Sequence, residues 1–214
     1  QSMGIGCDCF ALYAPAAGGV IAYNGSGRAP NAAVPDWYLE RNIPTVVPES
    51  AHAVTVPGAV DAWARLVEDH GTKGLDAVLQ PAINAARNGY VVQQRIAWDW
   101  QRHVPRLSKD PNTSDVFLVN GLAPSEGSVH RQPKLATTLE RIADLGREGF
   151  YDGPVAEDIV QYLAGLGGLH RMEDFALHKG VYVAPISSCY KGLDVYECPP
   201  NSQGVIALLI FNIL

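Results

Sequence analysis

The pattern of apolar and polar positions places strands near both ends of the chain. Near the N-terminus, the apolar runs 10–14 and 20–23 flank the Gly-rich segment 15–19, which indicates a hairpin. Near the C-terminus, short apolar runs lie on both sides of Lys191-Gly192, where glycine supplies the positive φ of a tight turn. We therefore predict two hairpins, the second one opening with a strand at Val181–Val183.

Apolar positions recur at helical spacing through the middle of the chain, and Gly or Pro residues mark the ends of the periodic segments. The predicted helices cover residues 36–41, 57–70, 75–88, 93–103, 133–149, 154–166 and 172–178. Pro81 either kinks the third helix or starts a new one. The segment 52–56 is predicted to be a short strand, and the segment 116–119 a short strand or extended chain before a turn at Asn120-Gly121.

The end of the last strand and the start of a final helix are marked by polar residues. Pro199-Pro200 ends the strand because proline lacks the amide N–H that a ladder needs. Asn201-Ser202 then offers side-chain oxygens that can cap a helix beginning near Gly204. With helices in the middle and strands at both ends, we predict an α+β fold whose terminal strands share one sheet covered by the helices.

The composition is that of an ordinary globular protein, with 47% hydrophobic and 18% charged residues. The net charge of −6 provides no positive field, so nucleic acid and anionic membranes are disfavoured as partners. No apolar run reaches the roughly 20 residues of a spanning helix. Gln1 is not an initiator methionine, and we expect both ends to be trimmed. We predict a single domain over residues 1–214, favour a cytoplasmic over a periplasmic location, and leave a homo-oligomer open.

Six short motifs follow one another along nearly the whole chain. Each combines glycine or proline with apolar or polar turn residues, and they are Gly4-Ile5-Gly6 with Phe10, Arg28-Ala29-Pro30, Val56-Pro57-Gly58, Pro81-Ala82-Ile83, Phe150-Tyr151-Asp152-Gly153 and Pro199-Pro200-Asn201-Ser202-Gln203-Gly204. In this order they resemble the γ-glutamyltranspeptidase family of N-terminal-nucleophile hydrolases. One such motif is a weak signal, whereas six in register are a strong one.

The resemblance implies part of a four-layer αββα sandwich that two subunits build from one autocleaved precursor. It implies that the full-length protein hydrolyses or transfers a γ-glutamyl or small carboxylate amide, and that this chain is an incomplete large-subunit region. The nucleophile would be a Thr at the start of the small subunit, outside this chain, with its freed α-amine as base. Thr137-Thr138 lies inside a predicted helix and is interpreted as structural. No catalytic residue is therefore assigned here, and the chain alone is predicted to be inactive.

One substrate contact of the large subunit falls within this chain. In the typical transpeptidase, an Arg shortly before an Ala-Pro pair holds the substrate's α-carboxylate through two parallel N–H groups. Alignment on Ala29-Pro30 places Ser26 at that position and Arg28 two residues later, a shift of roughly 6–7 Å along an extended chain. This departure argues against γ-glutamyl specificity, and the segment 24–28 resembles a branch that includes oxamate amidohydrolase. Ser26 and Arg28 are the predicted substrate-binding residues, with a structural salt bridge as the alternative for Arg28.

Other polar residues have structural interpretations as well. Ser202 and Gln203 either line the pocket or form a helix cap and a surface amide. We interpret five histidines as ordinary polar residues: His52, His103, His130, His170 and His178. Glu173-Asp174 is interpreted as a helix cap and dipole partner. Asp61, Glu68 and Asp69 are placed on a solvated helix face. A non-catalytic binding or assembly module on the same scaffold is the alternative to an enzyme.

The four cysteines, Cys7, Cys9, Cys189 and Cys198, are expected to be buried free thiols rather than two disulfides, with exposed reactive thiols as an alternative. Cys7 and Cys9 are too closely spaced for a metal knuckle, and no metal or cofactor is predicted. Gly4-Ile5-Gly6 lacks the setting of a dinucleotide fingerprint. A thiol nucleophile at Cys7 or Cys9 is a further alternative, although the charge of Asp8 would raise a neighbouring thiol pKa.

Overall fold

The computed structural model describes residues 4–214, so Gln1, where a trimmed end is expected, lies outside the described residues. Helices and strands are mixed along the chain, and the predicted α+β class is confirmed. The chain divides into two compact units, one formed by residues 4–72 with 147–214 and the other by residues 73–146. This division into two units does not test the prediction of a single domain, which stays a prediction.

The first unit contains a three-stranded antiparallel sheet. Its strands are β1 (Cys9–Tyr13), β2 (Ile21–Gly25) and β5 (Val181–Val183), in the order β1-β2-β5. The predicted N-terminal hairpin is confirmed, with Cys9 opposite Gly25 and Tyr13 opposite Ile21. As the central strand, β2 carries the buried side chains of Ala22 and Tyr23.

The C-terminal hairpin forms a sheet of its own from β6 (Ile186–Tyr190) and β7 (Leu193–Glu197). Lys191 and Gly192, with φ values of 52° and 81°, make the predicted two-residue turn. Two predictions are wrong here, because the terminal hairpins do not share a sheet and Val181–Val183 pairs with β2. The edge of β2 that is free of β1 is taken by β5, and Pro185, which has no amide N–H, separates β5 from β6.

Four helices of the first unit begin and end within two residues of their predicted limits, and the last begins at Gly204 as predicted, whereas the short helix at Glu148–Tyr151 is not predicted as a separate element. The helices of this unit are α1 (Pro35–Glu40), α2 (Ala59–His70), α7 (Glu148–Tyr151), α8 (Pro154–Gly165), α9 (Met172–Leu177) and α10 (Gly204–Ile213). The strand predicted over residues 52–56 is wrong, since a 3-10 helix covers Ala51–Ala53 and extended chain follows. Val56 makes one backbone bond to Arg28, and Pro57, having no N–H, cannot continue a ladder.

The second unit is mainly helical. Its elements are α3 (Leu75–Asn88), α4 (Gln94–Leu107), α5 (Pro111–Phe117), α6 (Pro133–Leu145) and the short paired strands β3 (Tyr90–Val91) and β4 (Val129–His130). Its core forms where α3 packs against α6, with Ile83 and Ile142 buried. Pro81 lies inside one continuous helix, α3.

Two further boundaries of the second unit differ from the predictions. Residues 116 and 117 of the segment predicted to be a short strand or extended chain lie in α5, whereas Leu118 is extended and Val119 pairs with Leu122. The helix α5 begins where the Asp110 carboxylate accepts the Thr113 N–H at 2.6 Å. The helix α6 ends before Gly146, which has a φ of 62°, rather than at Gly149. Within residues 4–214, no helix combines the length and apolar character needed to cross a bilayer.

Candidate substrate-binding site

The loop after β2 is held by hydrogen bonds to two other segments of the first unit. The Asp8 carboxylate accepts the Gly27 N–H at 2.6 Å, and the Arg28 carbonyl accepts the Val56 N–H at 2.9 Å. The Cys7 carbonyl in turn accepts the N–H of Gly58 at 3.1 Å. Three of the motifs noted in the sequence therefore meet at one place, and they fix the path of residues 25–28.

Two glycines in this region allow the backbones to approach closely. A Cβ on Gly27 would lie 2.0 Å from the Val56 carbonyl oxygen, and one on Gly58 would lie 2.0 Å from the Gly25 carbonyl oxygen. Any larger residue would force these segments apart. The glycines are thus needed for the position of the loop that carries Ser26 and Arg28.

Tyr151, from the fifth motif, holds the segment that enters α2. Its hydroxyl donates to the Pro57 carbonyl at 2.5 Å and accepts the Asp61 N–H at 3.1 Å. The side chain is fully buried, and this burial raises the pKa of Tyr151. A fixed neutral hydroxyl therefore connects α7 to the first turn of α2.

Asp61 lies in a buried polar cluster, so its predicted place on a solvated face is wrong. Only 5% of the residue is exposed. One carboxylate oxygen accepts from Arg147 Nε at 2.7 Å, and the other accepts from the Tyr23 hydroxyl at 3.0 Å and the Gly180 N–H at 2.8 Å. The first turn of α2 is covered by β2 and by the chain near residue 180, which the helical pattern alone does not reveal. Glu68 and Asp69, further along α2, are exposed as predicted.

Asn24, Ser26 and Asn201 form a closed ring of hydrogen bonds, which we call the asparagine clasp. The Ser26 N–H donates to Asn24 Oδ1 at 3.0 Å, and Asn24 Nδ2 donates to Asn201 Oδ1 at 2.8 Å. Asn201 Nδ2 closes the ring by donating to Ser26 Oγ at 2.8 Å. The clasp joins the end of β2 to the loop that precedes α10.

Arg28 follows the clasp and is exposed. Among residues 4–214 the structure records no hydrogen bond or ion pair for its guanidinium, so the structural salt bridge weighed in the sequence is not found among them. Ser26, the other predicted binding residue, is half-buried and lies in the clasp. The loop thus presents a serine hydroxyl and a cation whose five N–H donors are available to an anion.

Comparison with known proteins identifies the family. A family model described as gamma-glutamyltranspeptidase matches residues 1–214. The chain belongs to the γ-glutamyltranspeptidase family.

Individual members of this family are similar over nearly the whole chain. The glutathione hydrolase-like YwrD proenzyme of Bacillus subtilis is 39% identical over 99% of this chain and 40% of its own length. The oxamate amidohydrolase proenzyme of Klebsiella pneumoniae is 33% identical over 98% of this chain and 40% of its own length. The crystal structure of cephalosporin acylase from Bacillus halodurans has a TM-score of 0.92 and 37% identity, covering 98% of this chain and 40% of that one. The chain therefore spans about 40% of the length of these curated relatives.

The hydroxyls and thiols considered as nucleophiles have other roles or unfavourable surroundings. Thr137 and Thr138 lie in α6 and donate to the carbonyls of Pro133 and Lys134, as expected for structural residues. Burial and the nearby Cys198 raise the pKa of the Cys9 thiol, which lowers its thiolate fraction. The Thr137 and Thr138 hydroxyls therefore face backbone carbonyls rather than an activating base.

The cysteines are free, as predicted, but their burial differs from the prediction. Cys198 is buried and its thiol donates to the Ala11 carbonyl at 3.5 Å. Cys7 and Cys9 are half-buried and Cys189 is exposed. The alternation of side chains along β6 places Cys189 on its exposed face, which explains this difference.

Ser202 and Asp174 support the helices beside them. The Ser202 hydroxyl donates to the Cys198 carbonyl at 2.7 Å and accepts the Gly204 N–H at 3.3 Å, whereas Gln203 is exposed. The Asp174 carboxylate accepts the Arg171 N–H and the Asn31 N–H, each at 2.9 Å. These contacts favour the structural interpretations given to both segments.

Three of the histidines interpreted as ordinary polar residues are buried. His130, His170 and His178 are each less than 10% exposed, and burial lowers the pKa of each. His178 stacks on Tyr151 with ring centroids 5.5 Å apart. Their imidazoles are therefore held mainly in the neutral form at pH 7.

Sequence analysis missed Asn24 and Asn201 as members of the site. Both occur in segments that were singled out, 24–28 and 199–204, but Asn201 was interpreted only as a helix cap. The two asparagines are 177 residues apart, and a hydrogen bond over that separation leaves no local pattern. The presence of asparagine in both loop motifs is the one signal that could have suggested a pair.

Proposed function

We propose that this chain is the large-subunit region of a γ-glutamyltranspeptidase-like amidohydrolase. Membership of the family supports this proposal, as do relatives named as a glutathione hydrolase-like proenzyme and an oxamate amidohydrolase proenzyme. In the proposal, the precursor is cleaved into two subunits, and the small subunit from the same precursor is the partner of this chain. The catalytic Thr and its freed α-amine belong to that small subunit.

The reaction proposed is acyl transfer through the small subunit's Thr. The Thr oxygen attacks the amide carbonyl, its proton passes to the α-amine, and the amine product leaves with a proton as an acyl-enzyme forms. Water then releases the acid, or an acceptor amine takes the acyl group. This chain would contribute binding and orientation of the substrate rather than a reacting group.

The substrate we favour is an amide of a small carboxylic acid. The observation that carries this choice is the exposed loop on which Ser26 and Arg28 present donors to solvent, since a carboxylate oxygen is an acceptor only. Arg28 would bind the carboxylate of the substrate. A γ-glutamyl amide is the second candidate, favoured by the 39% identity to the glutathione hydrolase-like relative.

The test uses the full-length protein. We expect the precursor to split into two fragments on a denaturing gel, and the split protein to hydrolyse oxamate with a higher kcat/KM than γ-glutamyl-p-nitroanilide. The isolated 214-residue chain should hydrolyse neither amide. A precursor that stays intact and inactive would contradict the proposal and favour a non-catalytic binding module, whereas a preference for the γ-glutamyl amide would select the second substrate.

A further inference from the structure

The directions of the hydrogen bonds in the asparagine clasp follow from a single backbone donor. The Ser26 N–H can only donate, so Asn24 must face it with Oδ1 at 3.0 Å. Asn24 therefore turns Nδ2 toward Asn201, which must accept through Oδ1 at 2.8 Å. Asn201 consequently points Nδ2 at Ser26 Oγ, 2.8 Å away. The orientation of both side-chain amides is thus determined by the network itself.

The orientation of Asn201 determines how the Ser26 hydroxyl can form hydrogen bonds. Because its oxygen accepts from Asn201, its proton is left to donate elsewhere. Among residues 4–214 no acceptor for that proton is recorded. Each oxygen that takes part in the clasp already accepts a hydrogen bond from within it. The clasp therefore offers a donor to a ligand at Ser26, and Arg28 adds more donors two residues later.

We propose that Asn201 is a specificity-determining positioning residue, which fixes the Ser26 hydroxyl as a donor to the carboxylate of a small amide substrate. The proposal rests on the proposed function and adds to it a residue from the loop before α10. A site with donors at Ser26 and Arg28 suits a carboxylate, whereas the ammonium group of an amino acid needs acceptors. Asn201 acts through Ser26 and does not itself contact the reacting atoms.

The experiment measures two quantities in the full-length protein, the KM for oxamate hydrolysis and the affinity for oxalate by calorimetry. Oxalate carries the carboxylate without an amide, so its binding is measured independently of turnover. The variant Asn201→Asp replaces the donor with an acceptor, which would draw the Ser26 proton inward and repel the ligand. We expect about a tenfold or greater loss of oxalate affinity and a matching rise in KM, with kcat changed much less.

A double-variant comparison separates positioning from simple structural support. If Asn201 acts through Ser26, the combined Ser26→Ala and Asn201→Ala variant should bind oxalate no more weakly than Ser26→Ala alone. Asn201→Gln, which retains the amide donor, should recover part of the affinity lost in Asn201→Ala. The matched control is Asn212→Ala, because Asn212 accepts the hydroxyl proton of Ser188 in another exposed serine–asparagine pair of the same unit.

Each outcome decides the proposal separately from the proposed function. Unchanged oxalate affinity and oxamate KM in Asn201→Asp, in an active enzyme, would overturn the role of Asn201 while leaving the amidohydrolase proposal intact. Additive losses in the double variant, or equal losses from Asn212→Ala, would also overturn it. If the protein proves inactive, weaker oxalate binding by Asn201→Asp would still support the proposed role of Asn201 at a carboxylate site. If the unsubstituted protein does not bind oxalate at all, that role is overturned.

Discussion

The buried Asp61 cluster and the exposed asparagine clasp both join segments that are distant in the sequence, but they differ in whether every polar group has a partner within the protein. Asp61 accepts from Arg147, Tyr23 and Gly180, and only 5% of the residue is exposed. The clasp also satisfies its oxygens internally, but it leaves the Ser26 proton without a recorded acceptor among residues 4–214. The first arrangement is complete within the protein, and the second offers a donor to a ligand.

We propose that this difference separates residues that hold the fold from residues that bind a ligand. An ionised carboxylate inside a protein requires several donors, and the Asp61 cluster provides them from β2, from Arg147 and from the chain before β5. An exposed cation such as Arg28 contributes little to stability, and its guanidinium is accessible to a ligand. We therefore expect substitutions in the cluster to change unfolding, and substitutions at the loop to change affinity.

The largest effect is expected from Asp61→Ala. Removal of the carboxylate leaves Arg147 Nε, the Tyr23 hydroxyl and the Gly180 N–H without their acceptor. We expect a loss of about 3–5 kcal/mol in the free energy of unfolding, measured by urea denaturation. The matched control is Asp69→Ala on the same helix, where the exposed carboxylate pairs with Arg65 and Tyr182 and a much smaller change is expected. Equal losses in the two variants would remove the distinction drawn between buried and exposed groups.

The second effect concerns the backbone that supports the binding loop. In Gly27→Ala, the new Cβ would lie 2.0 Å from the Val56 carbonyl oxygen, and the loop must move. We expect a loss of about 1–3 kcal/mol in stability together with weaker oxalate binding. Gly165→Ala, where no atom lies within 4 Å of the added Cβ, should change neither quantity appreciably. Normal oxalate affinity in Gly27→Ala would show that the position of this loop does not matter for binding.

The smallest effect is the dependence of stability on pH through His178. Burial lowers the pKa of His178, and the charges of Asp61, Arg147, Arg28 and Asp8 act on it as well. A group with a lowered pKa in the folded state contributes stability above its unfolded pKa of about 6.5, and that contribution is lost as the pH falls through the folded value. We expect the thermal midpoint to fall as the pH is lowered below about 6.5, and to fall less steeply in His178→Asn.

The control for this pH series is His103→Asn, because His103 is exposed on α4. The thermal midpoint of His103→Asn should fall with decreasing pH as steeply as that of the unsubstituted protein. An equally steep fall of the thermal midpoint in His178→Asn would mean that this buried imidazole does not contribute to the acid sensitivity.

Elements with local signals were predictable from the sequence. The Lys191-Gly192 turn follows from the residues that tolerate positive φ, and α2 follows from its apolar periodicity and the Gly71 that ends it. The α+β class and the loop carrying Ser26 and Arg28 were also predictable, the loop through its resemblance to a known motif.

Features that depend on contacts distant in the sequence were not predictable. Asp61 follows the polar pattern of an exposed residue, and it is buried by β2, Arg147 and the chain near Gly180, which are distant in the sequence. The pairing of β5 with β2, rather than with β6, depends on which sheet edge is free. Asn201 likewise becomes part of the site through partners about 175 residues away.

The central claim is that the exposed loop at Arg28 binds the carboxylate of the substrate without supporting the fold. The most direct measurement is calorimetric titration of oxalate into the full-length protein and its Arg28→Gln variant, combined with thermal unfolding of both. We predict at least about a tenfold loss of oxalate affinity, since a charge-assisted bidentate contact is removed, with the same thermal midpoint in both proteins. Equal oxalate affinity in the two proteins, or a marked loss of stability in the variant, would contradict the claim.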